Sequence, residues 1–133
     1  MNIPTRIGIF GSCSGLIWSL APGLCGYYQA GLSLVLTVTV CAIITGILVS
    51  FALFKPLLKA NRRITILLGV LALPFGAFCW GFLFFLCSSP SDNPFFGGLI
   101  FAFWSVANPL AIIFIPCAVL TTFLLRKWLL MPR

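Results

Sequence analysis

Four long apolar stretches, parted and flanked by short segments that hold every charge, constrain this chain more than any other feature. They are read as Ile7–Tyr28, Leu32–Phe54, Ile64–Leu86 and Phe95–Leu125. About 20 apolar residues cross a bilayer core, so each is long enough to span. The charges sort by side. Arg6 precedes the first stretch, Lys55, Lys59, Arg62 and Arg63 separate the second from the third, and Arg126, Lys127 and Arg133 follow the fourth. Asp92, the only acid, lies between the third and fourth. Basic segments stay on the cytoplasmic side, so both termini are expected to be cytoplasmic. The expected fold is all-α: a single domain over residues 1–133, a bundle of four transmembrane helices, N-in and C-in, in a bacterial inner membrane.

Composition agrees with that frame. The chain is 62% hydrophobic and 7% charged, whereas soluble domains carry about 25% charged residues. The net charge of +7 is dispersed among segments flanking the spans, which reads as a topology signal and not as a nucleic-acid surface. Anionic headgroups would add attraction of ~1 kcal/mol per cation. Ser19 and Ala21 imitate a signal-peptidase site, but Pro22 would directly follow the cut, so the first helix is expected to serve as an uncleaved anchor.

Prolines and glycines mark the expected irregularities. Pro22-Gly23 should bend or end the first helix, and Pro74 should kink the third. The 31 residues of the fourth stretch contain Gly97-Gly98, Asn108-Pro109 and Pro116. They call for a tilted or kinked helix, or a short interfacial piece over Pro94–Gly98 leading into one. Connections should be short: a turn at Gln29–Gly31, a nine-residue loop at Lys55–Arg63 and an eight-residue loop at Cys87–Pro94.

Each span has a face of small or weakly polar residues at helical spacing. The first shows Gly8, Ser12, Gly15, Ser19, Gly23 and Gly26, with Gly11 and Gly15 forming a GxxxG pair. The second shows Ser33, Thr37, Cys41 and Thr45, the third Gly69, Ala72 and Gly76, and the fourth Gly98, Ala102, Ser105 and Asn108. Small faces let helices approach closely where hydrophobicity no longer drives association. Packing within the protomer or between protomers is the expectation; lining a solute path is the lesser alternative.

Reactive chemistry is nearly absent. There is no His and no Glu, which removes histidine metal sites, nucleophile–histidine pairs and paired carboxylates. The missing glutamate also separates the chain from small multidrug transporters, and the missing CxxC from vitamin K epoxide reductase-like enzymes. No cofactor, no metal and no enzymatic activity are expected. Cys25 and Cys87 are placed at the outer ends of their helices, where a disulfide would join them if the first and third helices were close; two free thiols are the stronger expectation. Asn108, the one amide inside a span, is expected to bond across to a neighbour or to cap carbonyls freed by Pro109. With Thr37 and Thr45 it forms the candidate intramembrane polar site. Lys55, Lys59, Arg62 and Arg63 are candidate contacts for anionic lipid or an acidic partner, although a stop-transfer role explains them more simply.

The functional expectation is a non-catalytic membrane protein acting through helix contacts. It would be an accessory or assembly subunit of a membrane complex, or an inhibitor or immunity-type binder of another membrane protein. The alternative is a homo-oligomeric channel or small-solute facilitator with its path at the breaks around Asn108-Pro109. Expected partners are membrane lipids, including anionic headgroups, and other membrane subunits or further copies of the chain.

Overall fold

A computed structural model describes the backbone of residues 2–88 and 92–131, with side chains described for all of these except 21–30. Among the described residues there are five helices: α1 (Ile3–Ala30), α2 (Leu32–Lys59), α3 (Arg62–Ser88), α4 (Pro94–Ala107) and α5 (Ala111–Leu130). Three of them, α2, α3 and α5, are long and apolar enough to cross a membrane. The chain is an all-helical integral membrane protein.

The helices outrun their expected ends. α1 continues through Pro22-Gly23 to Ala30, so that pair does not stop it. α2 likewise passes through Pro56 to Lys59, and the expected nine-residue loop shrinks to Ala60 and Asn61. Proline removes one helical hydrogen bond, but Leu57 beside it is fully buried, and tertiary packing of that turn outweighs the local loss. Asn61 starts α3 by accepting the Ile64 N–H on its side-chain oxygen at 2.9 Å. Between α1 and α2 stands Gly31 alone, at φ +79°. Only glycine takes that conformation at no steric cost, which allows so abrupt a reversal.

The expected fourth span is two helices. Asn93 caps α4 by accepting the Phe95 N–H at 3.0 Å, with Pro94 at the first helical position. α4 ends after 14 residues, about 21 Å at ~1.5 Å per residue, too short for a core of about 30 Å. The break falls at Asn108–Leu110. A residue before proline is driven out of the α region, and Asn108 is extended at ψ 140°. Pro74 and Pro116, by contrast, lie inside continuous helices.

α1 and α2 pack as one antiparallel hairpin, and α3 runs antiparallel to α5 and then to α4. The hairpins join where α2 meets α3 and, less extensively, where α5 meets α1 and α2. Among the described residues the α4 backbone packs on α3 and α5 and not on α1 or α2. The apolar core of Ile7, Leu57, Ala60, Leu125 and Leu129 draws the start of α1, the end of α2 and the end of α5 together. That unites Arg6, Lys55, Lys59, Arg126 and Lys127 at one end of the molecule. Asp92 lies at the other, beyond the far ends of α3 and α4.

Candidate functional site

The best-defined constellations in this protein are two glycine seams between helices. In the first, α1 meets α2. A Cβ on Gly11 would come within 2.6 Å of the Ile47 Cα, one on Gly15 would run into the Ala42 carbonyl, and one on Gly46 into the Gly11 carbonyl. These are backbone-to-backbone contacts, and Ser19 continues the seam as a buried residue. In the second, α3 meets α4 through aromatic rings. A Cβ on Gly81 would meet the Phe101 ring at 2.7 Å, one on Gly97 the Phe85 ring, and one on Gly98 the Phe78 ring at 2.9 Å. Phe78 also lies edge-on to Phe95 at 5.5 Å, and Trp80 edge-on to Phe101 at 4.9 Å. Gly69 makes a third close approach, to the Val119 backbone of α5.

Of the expected packing residues, Gly11, Gly15, Ser19, Gly69 and Gly98 therefore stand at helix contacts. Gly8 faces open space, Gly76 meets only a Val49 methyl at 3.6 Å, and Ser12 bonds back to the Gly8 carbonyl. Gly46, Gly81 and Gly97 were missing from the expected faces. The signal for Gly46 was present: Ala42 and Gly46 form a small-xxx-small pair one position away from the Cys41–Thr45 stripe, and that pair is what α1 meets.

The polar side chains mostly satisfy themselves locally. Ser12, Ser19, Thr37, Thr65, Ser105, Thr121 and Thr122 each donate to a carbonyl three or four residues earlier. Asn108 accepts the Leu110 N–H at 2.9 Å, closing the turn into α5. Its backbone N–H donates to the Trp104 carbonyl, and its own carbonyl accepts from Ala111. Thr45 differs: its hydroxyl is buried and has no hydrogen-bond partner among the described residues. Thr37 and Thr45 belong to α2, whose backbone does not pack on α4, and the described contacts do not gather them with Asn108 into one site.

Long-range polar bonds are few and specific. Arg6 Nη1 donates to the Met131 carbonyl at 2.7 Å and the Trp128 carbonyl at 3.3 Å, while Trp128 Nε1 donates to the Arg6 carbonyl at 3.1 Å. The clasp ties the first turns of α1 to the last turn of α5. Trp80 Nε1 donates to the Val38 carbonyl at 3.4 Å, linking α3 to α2.

Cys25 lies outside the residues with described side chains, and among the described residues the backbones of α1 and α3 do not pack together. Cys87 has another neighbour, Cys41 of α2. Both are free thiols. Lys55, Lys59, Arg62 and Arg63 are all exposed. No group of three or more metal-ligating side chains occurs among the described residues.

Comparison of the chain with protein-family models, with curated proteins and with solved structures gives no match. Chemistry at the described positions must therefore speak alone. It offers close-fitting helix surfaces and locally satisfied hydroxyls.

Proposed function

We propose that this protein is a non-catalytic membrane component that works through its helix surfaces, as an accessory or assembly subunit of a membrane complex or as an inhibitor or immunity-type binder of another membrane protein. The carrying observation is the fate of its polar groups. Seven hydroxyls that could have converged on a solute instead bond within their own helices, Thr45 being the exception, and Asn108 closes a turn. Outward, the molecule presents large apolar side chains, with Ile112, Phe103 and Ile17 at 80%, 70% and 68% exposure. Such surfaces suit lipid and other membrane helices. The positive-inside rule supports placing the basic end on the cytoplasmic side of a bacterial inner membrane.

A homo-oligomeric channel or small-solute facilitator is the second reading, favoured by the break between α4 and α5. Helix interruptions release backbone groups that can coordinate solutes. In that reading Asn108→Leu alters flux through a folded protein; unchanged flux limits Asn108 to its turn.

Native mass spectrometry of the gently solubilised particle, with subunit identification, tests both. Other membrane polypeptides in stoichiometric amounts support the accessory reading. A ring of identical chains transfers the weight to the channel, and a lone 14.5 kDa chain removes both stable assemblies, leaving the transient binder.

A further inference from the structure

The break between α4 and α5 lies at mid-height of the molecule. Phe101 of α4 stands opposite Gly81 and Val119 of α5 opposite Gly69, so residues 108–110 are level with the middle of α3, a helix long and apolar enough to cross the bilayer. Backbone bonds at this level can be counted one by one. Pro109 has no N–H to give to the Ser105 carbonyl. The Leu110 N–H goes to the Asn108 side chain in place of the Val106 carbonyl, and the Ala111 N–H to the Asn108 carbonyl in place of Ala107. Three consecutive carbonyls, those of Ser105, Val106 and Ala107, therefore accept no hydrogen bond among the described residues. Two donors within a turn of them are equally unused, the Trp104 indole N–H and the Asn108 side-chain nitrogen. The patch is open: Trp104, Val106, Ala107, Pro109 and Leu110 are all exposed. Irregular backbone at membrane depth persists only where protein or a wet cavity encloses it.

We propose that this patch is the interface of a homodimer, covered by a second copy of the chain. The inference rests on the reading of the protein as one that works through its helix surfaces, and it names the surface and the partner. Under the positive-inside rule both copies insert the same way, so a two-fold axis along the membrane normal brings break to break at equal depth. A two-fold interface needs a surface that complements itself, and here unused donors and unused acceptors share one patch. Trp104 Nε1 and Asn108 Nδ2 of each copy donate to the carbonyls of Ser105, Val106 and Ala107 in the other. Phe103 and Ile112, the two most exposed large apolar side chains among the described residues, flank the break and pack around these bonds. Lipid does not fit the place, since acyl chains carry no donor and headgroup donors lie about 15 Å from the bilayer centre.

Site-specific photo-cross-linking of the full chain in cell membranes tests the interface. Benzoylphenylalanine at Phe103 or Ile112 should give an adduct of twice the chain mass. The same probe at Ile17, nearly as exposed but on α1, should not. Equal adducts from all three positions, or lipid adducts alone at Phe103 and Ile112, overturn the dimer. An adduct of these two positions with a different polypeptide overturns the second copy as occupant and leaves the helix-surface reading standing; no protein adduct at any position counts against both. Trp104→Phe removes two symmetry-related bonds and should weaken dimerisation on the order of tenfold, read by Förster transfer between labelled chains diluted in liposomes. Trp18→Phe, at a ring that packs on Phe114 inside the protomer, should leave dimerisation unchanged. Unaltered association of Trp104→Phe refutes the hydrogen-bonded pairing. Should that variant misfold, the cross-links of the chain with Trp104 intact decide.

Discussion

The two glycine seams use the same residue for opposite ends. Between α1 and α2, glycine removes a side chain so that two backbones can touch, as Gly11 does against Ile47 and Gly46 against Gly11. Between α3 and α4, glycine is a socket: Gly81, Gly97 and Gly98 receive the rings of Phe101, Phe85 and Phe78. The first interface is held at one separation by rigid main chain on both sides. The second is padded mainly by rings that can rotate or be trimmed, with main chain close only where a Cβ on Gly98 would meet the Phe78 carbonyl at 2.9 Å and one on Gly81 the Gly97 carbonyl at 3.0 Å. A glycine pattern alone does not distinguish these cases; what faces the glycine does.

That contrast can be broken most violently at Gly15. Gly15→Leu places a branched side chain against the Ala42 carbonyl, where nothing can yield, and should cost about 3 kcal/mol, the upper end of overpacking penalties. Reversible unfolding in mixed detergent micelles measures it. In the padded seam, Gly97→Ala meets the Phe85 ring first, and a loss of about 1 kcal/mol is expected. Phe85→Leu in the same chain should restore most of that loss, while no single side-chain trim should rescue Gly15→Leu. An unrescued Gly97→Ala would erase the distinction between the seams.

Smaller effects sharpen the comparison. Trp128→Phe removes one bond of the clasp that holds α1 against α5, worth about 1 kcal/mol. Its amide hydrogen exchange signature should be faster exchange in the first turns of α1, with the α3–α4 seam unchanged. At Gly8 a Cβ meets nothing within 4 Å, so Gly8→Ala should gain about 0.5–1 kcal/mol from helix propensity alone. A destabilised Gly8→Ala would mean that this glycine packs against something outside the chain, such as a second copy.

Helix existence was legible because hydrophobic length is a strong signal, whereas the ends were not. Charges at Lys55 and Lys59 and the proline between them read as a loop, yet the apolar burial of Leu57 carries the helix through them. The polar break was half legible: Asn108-Pro109 stood out, but Pro74 and Pro116 looked equally disruptive and sit within unbroken helices. At Asn108 the residue before the proline has another use for its groups: its side-chain oxygen accepts the Leu110 N–H and its carbonyl the Ala111 N–H, which closes a turn in place of the helix. Among the candidate site residues, Gly11 and Gly15 were readable from their spacing. Gly81 and Gly97 were not, because their partners are phenylalanines whose direction depends on how α4 crosses α3. Arg6 and Trp128 were each visible at opposite ends of the chain; their mutual bonding depends on the three-dimensional closure.

That closure carries a consequence for biosynthesis. The two sides of the clasp are 122 residues apart in sequence, and translation at ~5–20 residues per second sets roughly 6–24 s between their appearances. Within that interval the first helix can form its glycine seam as soon as α2 (Leu32–Lys59) has been made, but its amino-terminal turns wait for a helix still to come. The nascent hairpin is thus formed early and fastened late, and any factor that guards it at the ribosome must let go before Trp128 can reach Arg6.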